Sequence, residues 1–101
     1  MTSSPIEAAL RERLTRYLAL TERALGLVRP SPPARSFLHD GAEDLLAMTR
    51  TYLEDARHFQ VGGDLVQALA AVSYAHAWLD AGVRLGLLDG GDDDQTFTQY
   101  R

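Results

Sequence analysis

The chain contains no cysteine. Disulfides, thiolate nucleophiles and cysteine-ligated metal sites are therefore excluded, and a reducing, cytoplasmic location is expected. Lysine is absent as well. All ten basic residues are arginine, set against fourteen acidic ones, for a net charge of −4. Sequence-independent nucleic-acid binding rests on clustered basic charge, so this balance argues against a nucleic-acid partner. Arginine without lysine fits a GC-rich genome, and −4 is modest for adaptation to high salt. No apolar run approaches the ~20 residues that span a bilayer, so no membrane segment is expected. The opening residues, MTSSPIE, have neither a basic start nor an apolar stretch, and no signal peptide is expected.

What is present is helical periodicity. The 101 residues leave room for one domain. Ser4-Pro5 reads as a helix start, with serine as the cap and proline at the first helical position. Ile6, Leu10, Leu14, Tyr17, Leu18, Thr21, Ala24, Leu25 and Val28 then fall on one face about 120° wide. The first helix is predicted over about 5–28. Residues 29–35, RPSPPAR, cannot be helix: three prolines remove donors and push each preceding residue toward extended geometry. A second helix is predicted over about 37–59, with Ala42, Leu45, Leu46, Thr49, Tyr52, Leu53, Ala56 and Phe59 as its core stripe. A short Gly62-Gly63 break follows, and Asp64 can cap a third helix over about 64–88. So short a connection makes the second and third helices antiparallel neighbours. The fold expected is all-α, an up-and-down three-helix bundle over 1–88. The acidic, glycine-rich residues 89–101 are expected to form a flexible tail, with Phe97 or Tyr100 docking transiently.

The third helix is unusually apolar. Leu65, Ala68, Leu69, Val72, Ala75, Leu79, Gly82, Val83 and Gly86 form one stripe, which Ala71, Tyr74, Trp78, Ala81 and Leu85 widen on one flank. The apolar arc exceeds roughly 200°, wider than a one-sided stripe. His76 sits on the other flank, and the polar positions shrink to a strip with Ser73, Asp80 and Arg84. Two readings stay open. In one, the helix is wedged between the other two, and its small residues allow close approach. In the other, Tyr74, Trp78 and Leu85 remain exposed and form a dimer or protein-partner interface, as Tyr and Trp favour.

The sequence holds little that resembles catalytic machinery. Glu54/His58 and His76/Asp80 have the i, i+4 spacing of bundle metal ligands. His58, however, lies roughly 160° from the middle of its helix's core stripe, and the two pairs point to different places. No metal site or cofactor is expected. Ser73, His76 and Asp80 share a helix face, but a triad needs its base oriented from a second element. Asp80 and Arg84 fit a surface ion pair, or an arginine held ready for an anionic group. The leading expectation is a non-enzymatic module that self-associates, as a dimer, or binds a protein partner. The rival is a small-ligand or accessory enzyme domain, with Tyr52, His76, Asp80 and Arg84 lining a pocket between the second and third helices.

The residues YLEDARHF (52–59), Gly63-Asp64, Ala68-Leu69-Ala70 and SYAHAWLDAGVRLGL (73–87) resemble a short archaeal family, domain of unknown function 357. Trp78-Leu-Asp-Ala-Gly82 is the most specific part. The family usually has Gly where this chain has Ala77, a mild departure beside Trp78. The resemblance implies a cytoplasmic archaeal protein with an up-and-down three-helix bundle, and it implies no activity.

Overall fold

The computed structural model describes residues 4–91. The elements are α1 (Pro5–Leu27), β1 (Arg29–Pro30), α2 (Phe37–Val61), α3 (Leu65–Arg84) and β2 (Leu88–Asp89). Each helix begins where a side-chain oxygen accepts an otherwise orphaned backbone N–H. Ser4 Oγ accepts from Glu7 N at 3.0 Å, Ser36 Oγ from His39 N at 3.1 Å, and Asp64 Oδ1 from Gln67 N at 3.1 Å. Ser36 Oγ also donates to the Pro33 carbonyl at 2.6 Å, tying the cap to the proline-rich loop. Between α2 and α3, Gly63 takes φ +80°, a left-handed conformation that glycine adopts without strain.

The third helix is shorter than its periodicity predicts. It stops at Arg84, not at 88. Gly86 has φ +79°, its N–H bonds Val83 O at 3.1 Å, and Leu87 N–H bonds Gly82 O at 2.9 Å. That pair of bonds is the Schellman stop. The chain then reverses, and Leu88–Asp89 pairs antiparallel with Arg29–Pro30, joined by Ser31 N–H to Leu87 O at 2.9 Å. The start of the expected tail is thus part of the fold: Asp89 lies in β2, Gly90 is buried, and Gly91 N–H bonds Asp89 Oδ1 at 2.8 Å. Phe97, Tyr100 and the remainder of the tail lie outside the described residues. The first helix ends at Leu27, with Val28 already extended.

The helices run up, down and up, with α3 in the middle. It packs along both neighbours, whereas α1 and α2 meet little. One apolar cluster joins Leu14 and Leu18 of α1, Leu53 and Ala56 of α2, and Leu65, Ala68, Ala71, Val72 and Ala75 of α3. A second joins Ala24, Val28, Ala42, Leu46, Leu79 and Leu88 at the other end. Two expected core residues are outside. Ile6 is 75% exposed and Tyr17 37%. Thr21 of α1 meets His76 of α3, so the parallel register carries Ile6 beyond the first residue of α3, where no helix among the described residues covers it. Among the described residues no helix is long and apolar enough to cross a membrane.

Candidate functional site

Between the two apolar clusters lies a polar layer of Thr21, Thr49, His76 and Asp80, all buried. Thr49 satisfies its hydroxyl within α2 by donating to Leu45 O at 2.8 Å. The other three are joined across helices. The Thr21 hydroxyl lies 3.1 Å from His76 Nδ1, and His76 Nε2 lies 3.4 Å from Asp80 Oδ2. With its proton on Nε2, the imidazole accepts from the Thr21 hydroxyl at Nδ1 and turns its N–H side toward the carboxylate. The order hydroxyl, imidazole, carboxylate is that of a nucleophilic relay. The Thr21 hydroxyl, however, sits on a residue only 1% exposed, inside the core. The layer therefore acts as a polar clamp of α1 on α3.

Asp80 corrects an expectation. Periodicity places it on the polar strip beside Ser73 and Arg84, at the surface. It is instead 4% exposed and faces His76. The physical reason is that α1 covers the flank of α3 on which His76 and Asp80 lie. Ser73 and Arg84 stay exposed, and the Ser73 hydroxyl donates back to Leu69 O at 2.8 Å within its own helix. Thr21 is the member of the cross-helix contact that sequence reasoning did not single out. Its signal was a hydroxyl within an otherwise apolar stripe.

Of the four residues of the expected ligand pocket, His76 and Asp80 come together, but Tyr52 lies apart from them. Tyr52 stacks on Tyr74, with ring centroids 5.3 Å apart and planes 20° from parallel. His76 is two residues from Tyr74, about 200° around the helix, and it turns toward α1. Arg84 is exposed in the last turn of α3. A surface depression of about 430 Å³ lies elsewhere, against Arg16, Tyr17, Ala19, Leu20 and Arg23 of α1. Among the described residues no three of His, Cys, Asp and Glu converge as a metal site; His58 is exposed and sits edge-on to Phe59 at 6.0 Å.

The residues expected to form an interface lie on the outer side of α3. Tyr74 is 60% exposed and Leu85 73%, while Trp78 is half-buried. They continue a face with Val66, Ala70, Ala77 and Ala81, all exposed. The contact of Tyr74 with Tyr52, and the approach of Gly82 to Leu45, set the antiparallel register of α3 on α2. By that register Met48, itself partly exposed, stands level with Trp78. Tyr52 and Met48 thus border the outer face on the α2 side.

Residues 16–88 match a family whose description is "Protein of unknown function (DUF357)". Neither a curated protein nor a solved structure matches the chain.

Proposed function

The chain belongs to the DUF357 family, and on that premise we propose that it is a non-enzymatic protein-interaction module whose contact surface is the outer face of α3. One observation carries the reading. From Val66 to the cap residue Leu85 the exposed side of α3 presents Val66, Gln67, Ala70, Ser73, Tyr74, Ala77, Ala81, Arg84 and Leu85, six apolar side chains with two neutral polar ones and a single formal charge, Arg84, at the end. A helix with one covered face ordinarily turns charged residues to water on the other. Contiguous exposed apolar surface marks recognition, and Tyr74 beside Trp78 supplies the aromatic anchors that interfaces favour. The ionisable groups that could support chemistry in α3, His76 and Asp80, are engaged in the clamp on α1.

The test is absolute molar mass by light scattering across a range of concentration and salt, on the 11.1 kDa chain and on Tyr74→Arg and Trp78→Ala. The reading expects association that both substitutions weaken while helicity is unchanged. Association that survives both substitutions refutes it. A chain that is monomeric throughout leaves a different protein as the partner.

A further inference from the structure

We propose that two copies of this chain pair through the outer faces of their α3 helices, antiparallel, about a twofold axis between Tyr74 and Ala77. This rests on the interaction reading above and names the partner and its direction. The exposed apolar stripe runs Val66, Ala70, Tyr74, Ala77, Ala81, Leu85, with the neutral polar Gln67 within it and Ser73 at its border. Its steps are four, four, three, four and four residues, the same read from either end. A reversed copy therefore places Val66 on Leu85 of the second copy, Ala70 on Ala81, and the Tyr74 ring on Ala77. Large residues meet at the two ends, small ones meet in between, and each tyrosine covers an alanine. Alanines facing one another let the helix axes approach to about 8 Å. A twofold interface needs this self-complementarity, because each patch must fit itself.

Charge favours the same direction. The ends of α3 carry opposite signs, Asp64 at the N-cap and Arg84 in the last turn. Antiparallel pairing brings unlike charges and unlike ends of the helix dipole together, and parallel pairing brings like to like.

The absence of cysteine allows a clean cross-linking test on the full chain. Ala70→Cys, Ala81→Cys and the double variant are oxidised mildly at a concentration where light scattering reports a dimer. The double variant is expected to form a disulfide-linked dimer, and each single variant is expected to stay unlinked. Tyr74→Arg should weaken the dimer by at least about tenfold. Linking of the single variants shows a parallel pair and overturns the proposal. A dimer that Tyr74→Arg dissolves, but in which the double variant does not link, overturns the antiparallel arrangement and keeps the interaction reading. A monomer at every concentration overturns self-pairing, again without touching a heterotypic partner.

Discussion

Gly82 and Leu88 share one space. A Cβ on Gly82 would stand 2.5 Å from Leu88 Cδ1 and 2.8 Å from its Cγ, with Leu45 Cδ1 at 3.2 Å behind. Leu88 is 2% exposed, so its side chain has no free direction to yield. The missing side chain at Gly82 is what lets the chain fold back after the Gly86 stop and plug the end of the second apolar cluster.

Gly82→Ala should therefore destabilise the protein by about 1–2 kcal/mol. Overpacking costs about 1–3 kcal/mol and outweighs the ~1 kcal/mol of helix propensity that alanine adds. Leu88→Ala alone should cost about 2–5 kcal/mol as a cavity. In the Leu88→Ala background the added methyl has room, and Gly82→Ala should turn neutral or stabilising. Urea unfolding of the four proteins measures this cycle. Stabilisation by Gly82→Ala in the parent chain would contradict the packing described.

The two buried threonines should behave differently. Thr21→Val removes the hydroxyl that meets His76 Nδ1 and should cost about 1–2 kcal/mol, because it strips a partner from a buried polar group. Thr49 bonds only within its own turn, so Thr49→Val should stay within about 1 kcal/mol. Equal losses in denaturant titrations would mean that the contact between α1 and α3 does not depend on the clamp.

His76→Leu removes the imidazole from beside a buried carboxylate and should cost about 1–3 kcal/mol, as stripping a partner from a buried polar group does. His76→Leu with Asp80→Leu should be less destabilised than the single change, since burying two apolar groups replaces burying one charge. Strictly additive losses in the cycle would show that the two side chains do not act together.

Ser36→Ala should cost more than Ser4→Ala. Both caps are worth about 1 kcal/mol, but Ser36 also holds Pro33 O. Ser4 caps a turn of α1 that extends past the end of α3. Likewise Ile6→Ser should change stability by less than about 0.5 kcal/mol, while Leu14→Ala, deep in the first cluster, should cost about 2–5 kcal/mol. Thermal melts rank these four directly, and a large effect of Ile6→Ser would place α1 closer to its neighbours than described.

The helix starts were legible in the sequence because capping is local. Ser4, Ser36 and Asp64 each act on a backbone N–H three residues on. The apolar stripes of α1 and α2 were legible for the same reason, since periodicity follows from helix geometry alone. The wide apolar arc of α3 pointed either to two covering helices or to an open face at Tyr74 and Leu85, and the sequence left that choice to packing. The end of α3 was not legible. Gly86 falls in phase with the apolar stripe, so its role as a stop and the return of Leu88 onto Gly82 emerge only once β1 is there to pair with.

The fate of the polar residues was decided by tertiary structure alone. A helical wheel gives Asp80, Arg84 and His76 their angles, but it does not say which sector a second helix will cover. Thr21 and His76 are 55 residues apart, and only the seating of α1 makes them neighbours. That seating buries Asp80, keeps Arg84 on the exposed side and separates His76 from Tyr52. Sequence alone thus determined the helices, their order and their apolar faces, since those depend on near neighbours in the chain. Which faces are shut and which remain open depends on contacts between distant segments, and that was settled by packing.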